Sequence, residues 1–318
     1  MNNNLSKTPG SAAVVLAFIT VYIVWGSTYF FIRQALSGFP PLLLGAFRFI
    51  TAGLLMMIWS AFRKEKLFDL QAMKVAAISG FFILFIGNGV VIYVEQYVNT
   101  AWVAIIVSAA PIWFVLYDKP HWKENFGSRS ILAGLAMGII GIVLLFSENI
   151  VSLKTNSNHY QTLAFISLII GSMSWVIGSL YAKYSKPVFP AIVNSTWQIF
   201  FAGLYFLAGA FAKDEFSHFR LAHVSPTAWA SLGYLIIFGS ILAYSCYVWL
   251  MEVRPPAQVS TYAYVNPVVA VLLGVFLASE HVSLLQITGL LVILLSVLLI
   301  NLKKYLRRQL NGKLKMES

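Results

Sequence analysis

The sequence has little charge. Only 10% of its 318 residues are Asp, Glu, Lys or Arg, whereas soluble globular domains carry about 25%. Hydrophobic residues make up 59% of the chain, which is more apolar surface than one or two soluble domains could hide from water. This composition suits a lipid bilayer and excludes a soluble enzyme or a soluble binding domain.

Other absences narrow the functional class further. The single cysteine, Cys246, cannot form an internal disulfide. The sequence has no P-loop motif and no nucleotide-binding domain, which excludes an ATP-driven pump. No small-residue cleavage site ends the first apolar segment, so we expect that segment to be a retained helix rather than a secretory signal.

Long charge-free stretches follow one another along the chain. Each has roughly 18 or more residues, enough to cross about 30 Å of hydrocarbon at 1.5 Å per residue. Strict strand alternation is missing, and Leu, Ala, Phe and Gly dominate, so the stretches indicate helices rather than barrel strands. The sequence therefore predicts an all-α integral membrane protein with ten transmembrane helices, which fall within residues 11–32, 34–62 (interrupted by Arg48), 75–94, 96–117, 130–147, 155–182, 187–212, 221–251, 255–279 and 282–302.

Positive charges are distributed unevenly between the connecting segments. With the N-terminus placed inside, the inner segments hold most of the Lys and Arg residues, whereas the outer segments hold only Arg33, Lys154, Lys213 and Arg220. Cytoplasmic loops are enriched in Lys and Arg, so both termini are expected in the cytoplasm. The net charge of +11 then reflects topology and attraction to anionic lipid headgroups. The basic tail, residues 303–318, is too short to form a nucleic-acid-binding domain.

The two halves of the sequence share ordered markers. Trp25 and Trp175 are each followed by a basic residue eight positions later and by a Phe-Pro pair fourteen positions later. Pro111 and Pro267 are each followed by an acidic residue thirteen positions later. Five helices per repeat is an odd number, which forces opposite orientations in the membrane, as in the inverted repeats of secondary transporters. We therefore expect two inverted five-helix repeats.

Three motifs resemble the EamA family of the drug/metabolite transporter superfamily. They are Trp-Gly-Ser near the end of the first helix, "FPPLLLGAFRFITAG" in the second, and "GNGVVIYVEQYV" running into "AAPIWFVLYD". The likeness is greatest to the inner-membrane branch of YedA-type proteins, and it divides the chain into repeats at residues 12–147 and 160–302. The resemblance implies a multi-pass inner-membrane protein that exports a small metabolite, such as an amino acid, by alternating access.

Aromatic and polar side chains recur at helical spacing on several predicted helices. Residues three or four apart share one helix face, and such faces could give a cavity apolar walls with a few hydrogen-bonding groups, as small-molecule sites have. The alternative is that Trp and Tyr anchor the helices at the membrane interfaces. We expect these residues along a substrate pathway: Trp25, Tyr29, Asn88, Trp113, Trp175, Ser179, Tyr244, Tyr262 and Asn266.

Two charged residues complete the predicted pathway. Arg48 lies about 12 Å below the outer surface, and because arginine cannot shed its charge, snorkelling, a carboxylate or carbonyl oxygens must satisfy it. Glu95 ends the third predicted helix near the outer boundary. There it is either wetted by headgroup water or paired with a cation, which would be Arg48 or the amine of a substrate.

Competing functions have less support in the sequence. An intramembrane enzyme needs clustered acids or a His/Ser arrangement at one depth, and no histidine lies in the middle of a predicted helix. A non-transporting membrane scaffold would usually carry a sizeable soluble domain. We expect no cofactor and no metal site, and the expected partners are a small-molecule substrate and membrane lipids. The GxxxG motif formed by Gly134 and Gly138 is the basis for an expected homodimer.

Overall fold

The computed structural model describes residues 10–98, 100–147, 159–278 and 283–314. Every regular element within these ranges is helical, in agreement with the predicted all-α class. The first half of the chain forms segments α1 to α5 and the second half forms α6 to α10. Their bounds are α1 Ser11–Ala35, α2 Pro41–Phe62, α3 Leu70–Val94, α4 Thr100–Val107 and Ala110–Tyr117, α5 Arg129–Leu145, α6 His159–Tyr184, α7 Ala191–Ala212, α8 Pro226–Val253, α9 Pro256–Val259 and Tyr262–Ala278, and α10 Leu284–Leu314.

Seven of these helices are long and apolar enough to cross a membrane, namely α1, α2, α3, α6, α7, α8 and α10. The number becomes eight if the pair Trp102–Tyr117 and Lys119–Phe126, which meet at an angle of 70°, forms one bent span. α5 is apolar but has only 17 residues. The described part of the chain therefore has seven or eight candidate spans, and ten spans remain a prediction.

Large apolar side chains lie on the outside of the helix bundle. Leu16, Ile58 and Leu291 are 62%, 55% and 58% exposed. Soluble monomers rarely expose contiguous apolar patches larger than a few hundred Å². The outer surface of this bundle therefore fits hydrocarbon rather than water.

The start of α2 is held by a carboxylate from the second half of the chain. Pro41 occupies the first turn of the helix. Backbone N–H groups in the first turn have no partner within the helix, so the missing N–H of proline costs no hydrogen bond there. The backbone N–H groups of Leu42 and Leu43 donate to the Glu215 carboxylate at 3.2 and 2.8 Å. A negative charge at this end also complements the helix dipole.

α3 and α8 each change from α-helical to π-helical geometry in the middle. The π segments are Phe81–Asn88 and Leu235–Ala243, and each lies in the third helix of its half. A π-helix pairs residues five apart instead of four, and such segments occur frequently at functional sites. No pattern in the sequence marks these two segments.

Each π segment accepts a hydrogen bond from a side chain of the other half. The indole Nε1 of Trp25 in α1 donates to the Gly239 carbonyl at 3.3 Å. The Ser174 hydroxyl in α6 donates to the Phe82 carbonyl at 2.7 Å. The two halves are thus joined through backbone oxygens at both π segments.

α2 and α7 pack closely through glycines. A Cβ atom on Gly53 would lie 2.8 Å from the Cα atom of Phe200, and one on Gly203 would lie 2.6 Å from the backbone nitrogen of Ile50. Real Cβ atoms do not approach backbone this closely, so both positions exclude a side chain. The two backbones meet because neither glycine carries one.

α5 and α10 form a second close pair. A Cβ atom on Gly134 would lie 2.9 Å from the Ser296 carbonyl oxygen, and one on Gly289 would lie 2.9 Å from the Gly141 carbonyl oxygen. Gly134 of the predicted dimer motif is therefore packed inside the chain. Its motif partner Gly138 faces the ring of a tyrosine of α9, so a homodimer through this face would have to displace internal contacts.

Candidate functional site

A cavity of about 70 Å³ lies inside the bundle, with walls from α1, α2, α3, α4, α6, α8 and α9. Both halves of the chain therefore contribute to it. Most of the predicted pathway residues line this cavity, namely Trp25, Tyr29, Arg48, Asn88, Trp175, Tyr244, Tyr262 and Asn266. The remaining three, Glu95, Trp113 and Ser179, lie outside its lining.

Five aromatic rings bound the cavity on the side that we predict to be cytoplasmic. We call Trp25, Trp175, Tyr244, Tyr247 and Tyr262 the aromatic layer. Ring centroids of Trp25 lie 4.9 Å from Tyr262, 5.0 Å from Tyr247 and 5.3 Å from Trp175. Tilted and edge-to-face arrangements at these distances are the favoured geometries of aromatic pairs. The rings thus form a packed layer.

Hydrogen bonds fix the polar edges of the aromatic layer. Trp175 Nε1 donates to the Tyr247 hydroxyl at 3.0 Å, and that hydroxyl is 2.6 Å from Ser179 Oγ. The Tyr244 hydroxyl donates to the Gln198 side-chain carbonyl at 2.9 Å. These bonds keep the buried indole and hydroxyl groups satisfied, as buried polar groups require.

A second cavity, of about 190 Å³, lies on the other side of the aromatic layer. Tyr247 faces this second cavity, whereas the other four rings of the layer face the first. Its polar lining includes Ser179, Lys183, Asn194, Gln198 and Glu252. The predicted pathway residue Ser179 therefore lies beyond the aromatic layer.

Arg48 is a buried cation on the cavity wall, with only 4% of its surface exposed. Its Nε donates to Ser240 Oγ at 2.8 Å and its Nη1 donates to Asn88 Oδ1 at 3.4 Å. The guanidinium also lies 4.7 Å from the ring centre of Phe49. Two neutral side-chain oxygens therefore satisfy Arg48, namely the amide carbonyl of Asn88, at the end of one π segment, and the Ser240 hydroxyl, within the other. A hydroxyl was not among the expected partners. Among the described residues, Arg48 pairs with neither Glu95 nor any other carboxylate.

Glu95 is buried, with only 1% of its surface exposed. Among the described residues neither carboxylate oxygen has a hydrogen-bond partner. Arg33 lies nearby, but its Nη1 donates to the backbone carbonyls of Glu95 and Val98. Tyr29 of the cavity wall lies close enough to Glu95 for the two side chains to interact electrostatically. Burial distinguishes this position from an acid that headgroup water simply wets.

Trp113 lies on α4 and lines neither of the two cavities. Its ring stacks on Tyr117 with centroids 6.2 Å apart, and its Nε1 has no partner among the described residues. Its ring packs against the hydrophobic core to which Trp25, Tyr244 and Tyr262 also belong.

Three hydroxyl-bearing residues also line the cavity wall, namely Thr28, Ser172 and Ser240. Helical spacing puts Ser172 on the face of Trp175 and Ser240 on the face of Tyr244, whereas no such pattern marks Thr28. Two oxygen atoms of the lining, Ser172 Oγ and Asn266 Oδ1, are buried and have no partner in the described part of the chain. They are free to bind a polar group inside the cavity.

Among the described residues, a histidine and an acid meet only at the end of the bundle that we predict to be cytoplasmic. His121 Nδ1 lies 3.1 Å from Asp118 Oδ1, and the Tyr184 hydroxyl donates to the same carboxylate. This contact joins the ends of α4 and α6. Within the described ranges, no group of three or more His, Cys, Asp or Glu side chains could hold a metal ion.

Comparisons with known proteins agree with this architecture. The model of the EamA-like transporter family matches residues 12–147 and 162–302. The inner membrane transporter YedA of Escherichia coli is 34% identical over 293 residues, which cover 91% of each chain. The protein PecM of Dickeya dadantii is 26% identical over 282 residues, which cover 87% of this chain and 88% of PecM.

A solved crystal structure has the same fold. It superposes with a TM-score of 0.69 and 16% identity, covering 92% of this chain and 98% of the other. An identity this low shows the fold alone. The two family matches and the identity to YedA go further, and together they show that the chain belongs to the EamA-like transporter family.

Proposed function

We propose that this protein is a secondary transporter that exports a small amphipathic metabolite, such as an amino acid or a related compound, by alternating access. The observation that carries the proposal is the central cavity, whose walls come from both halves of the chain. Its lining combines aromatic faces with a few polar groups, which is the usual composition of a small-molecule site. The predicted pathway residues on its wall are the proposed substrate contacts.

The two cavities support alternating access. They are separated by one layer of side chains, which is crossed by the hydrogen bond from Trp175 Nε1 to the Tyr247 hydroxyl. A substrate in the first cavity can reach the second only when these two rings part. In the proposed cycle, the aromatic layer opens toward the cytoplasm while the outer ends of the helices close.

Reciprocal contacts support the proposed arrangement of ten helices in two inverted repeats, residues 12–147 and 160–302. Gly53 and Gly203 are 150 positions apart, as are Ile50 and Phe200. Gly53 packs on Phe200 while Gly203 packs on Ile50. An exchange of partners between equivalent positions is what a two-fold axis generates. In secondary transporters with inverted repeats, that axis lies in the membrane plane.

The α5–α10 pair has the same reciprocity. Gly134 and Gly289 are 155 positions apart, as are Gly141 and Ser296. Gly134 packs on Ser296 while Gly289 packs on Gly141. Two independent helix pairs thus support one axis. With five helices in each repeat, both termini lie on the same side of the membrane, and the Lys and Arg distribution favours the cytoplasmic side.

The competing functions are an intramembrane enzyme and a membrane scaffold. The cavity lining contains no acid, histidine or cysteine among the described residues, and general acid–base or nucleophilic catalysis needs such groups in reach of the substrate. A scaffold would not need a cavity that both halves build. We therefore favour transport over either alternative.

Counterflow in proteoliposomes tests the proposed function. Purified protein is reconstituted, the vesicles are loaded with one unlabelled compound, and uptake of the labelled compound is followed with and without a pH gradient. The panel contains amino acids, their amides, and small aromatic and aliphatic carboxylates and amines. We expect at least one compound to accumulate transiently above the level in protein-free vesicles. Uptake equal to protein-free vesicles for the whole panel would contradict transport.

A further inference from the structure

Arg48 is the one charged side chain among the described residues that line the central cavity. An arginine stays protonated in any protein environment, and an unpaired charge in a low-dielectric interior is costly. The neutral oxygens of Ser240 and Asn88 receive two of its N–H groups but supply no negative charge. The cavity lining therefore carries a positive charge that no described carboxylate compensates.

The guanidinium presents unused donors to the cavity. Of its three nitrogens, Nη2 donates to no described residue, and Nη1 holds Asn88 at the long distance of 3.4 Å. Nη2 lies beside Gly239, where a Cβ atom would approach it to 3.0 Å, so the absence of a side chain at Gly239 leaves room at this nitrogen. Two neighbouring guanidinium nitrogens form the planar fork that matches the two oxygens of a carboxylate.

From this geometry we propose that Arg48 binds the carboxylate of the transported substrate through Nη1 and Nη2. The substrate class is then a small amphipathic carboxylate, whose apolar part lies against the rings of the aromatic layer. The free oxygens of Ser172 and Asn266 accept a hydrogen bond from a donor group elsewhere on the substrate. The inference rests on the proposed transport function and narrows its substrate.

A monoanion fits the lining better than a more highly charged group. The described wall offers a single positive charge, so a phosphate dianion would leave one negative charge buried and uncompensated. An amine would add a second positive charge beside Arg48, which like-charge repulsion opposes. A carboxylate neutralises the site.

Binding to the purified protein in detergent tests the inference without transport. The intrinsic tryptophan fluorescence, to which Trp25 and Trp175 on the cavity wall contribute, reports occupancy, and a thermal shift provides a second readout. The probes are matched pairs in which an amide of nearly the same shape replaces the carboxylate, namely 4-methylpentanoate with 4-methylpentanamide, phenylacetate with phenylacetamide, and L-leucine with L-leucinamide. We expect at least one carboxylate to bind about ten- to hundredfold more tightly than its amide.

Two substitutions locate the effect. In Arg48→Gln, the preference for carboxylate over amide should disappear, whereas Arg48→Lys keeps the charge but loses the planar fork and should retain only part of the preference. The matched control is Arg220→Gln, which changes an exposed arginine of an outer connection and should bind every probe as the wild type does. If Arg48→Gln does not fold, the ratio of carboxylate to amide affinity, measured on wild-type protein and on Arg48→Lys, still tests the role of Arg48.

The outcomes separate this inference from the proposed function. Equal affinity for carboxylate and amide in every pair, or no binding by any carboxylate, would overturn the role of Arg48. Counterflow of amines or amides without any carboxylate would leave transport standing and overturn the carboxylate site. Charge-selective binding without counterflow of any compound would support the carboxylate site and contradict the proposed transport function.

Discussion

The indole rings of Trp25 and Trp175 meet edge to face at the centre of the bundle, with centroids 5.3 Å apart and planes at 88°. The two residues are 150 positions apart in the chain, the same separation that relates Gly53 to Gly203. They lie on α1 and α6, the first helix of each half. Positions separated by 150 residues thus meet as an aromatic pair on the cavity wall. Positions with the same separation also supply the glycines at which α2 and α7 pack.

Truncating Trp175 should weaken transport more than it weakens the fold. Trp175→Ala removes a ring from the cavity wall and the donor that holds the Tyr247 hydroxyl, so we expect about a tenfold loss in transport efficiency, equivalent to about 1.4 kcal/mol. Initial rates of counterflow at several concentrations measure it. The matched control is Trp59→Ala, because Trp59 is 59% exposed on the outside of the bundle and should transport normally.

Asn266→Ala provides an independent test of the proposal that the cavity wall contacts substrate. It removes a buried side-chain oxygen that has no partner among the described residues and that lines the cavity. We expect weaker substrate binding with near-normal expression. If both Trp175→Ala and Asn266→Ala transport at the normal rate and affinity, the pathway assignment is wrong.

Glu95→Gln should reduce transport of cationic and zwitterionic substrates more than transport of neutral ones. The substitution removes a charge and keeps the shape of a side chain whose two oxygens are unpartnered in the described part of the chain. Rates for amines, amino acids and neutral amides, each relative to wild type, measure the effect. A uniform change across all three classes would assign Glu95 a structural role without any part in recognising substrate charge.

Glu215→Gln is the matched control for that experiment. It makes the same chemical change, but Glu215 receives the first N–H groups of α2 and lies outside both cavities. We expect a loss of stability of about 1 kcal/mol from the weakened helix start, seen as a lower thermal midpoint in detergent. The relative rates for charged and neutral substrates should not change.

Adding a methyl group between α2 and α7 should destabilise the bundle. A Cβ atom at Gly203 or Gly53 would lie 2.6 or 2.8 Å from backbone atoms of the facing helix, and overpacking of this kind costs about 1–3 kcal/mol. Thermal unfolding of Gly203→Ala and Gly53→Ala in detergent measures it. Gly233→Ala is the control, since nothing lies within 4 Å of the added atom, and a midpoint equal to or above wild type is expected.

Labelling of single cysteines tests the predicted topology. In a Cys246→Ser background, Asn3→Cys and Lys315→Cys should react with a membrane-impermeant maleimide only after the cells are permeabilised, because the Lys and Arg distribution places both termini inside. Lys213→Cys, in a predicted outer segment, should react in intact cells. Reaction of either terminal cysteine in intact cells would disprove the orientation.

Much of the architecture could be predicted from the sequence, because its signals are local. A charge-free stretch such as residues 11–32 predicts a helix by length and composition alone, and α1 extends over Ser11–Ala35. Regular spacing of aromatic residues likewise placed Trp25 and Trp175 on a common cavity wall. The repeat markers anticipated that both halves would contribute to it.

Other features depend on contacts that a sequence does not encode locally. No periodic pattern in the sequence indicates that α3 and α8 become π-helical in the middle. The positions of Asn88 and Ser240 beside Arg48 therefore could not be predicted from it. Glu95 could be located near the outer end of its helix, but its burial depends on neighbours from distant parts of the chain. Trp113 follows the same helical spacing of aromatic residues as Trp175 but lines neither cavity.

The wide turns of α3 and α8 bear on the cost of the proposed opening. In the closed aromatic layer, the carbonyls of Gly239 and Phe82 accept side-chain donors from the opposite half. A helix pairs its carbonyls with its own N–H groups whether the spacing is four or five residues, so in the proposed cycle the separation of the halves breaks these side-chain hydrogen bonds and leaves the helical pairing intact. No backbone oxygen of the two π segments is then stranded in hydrocarbon.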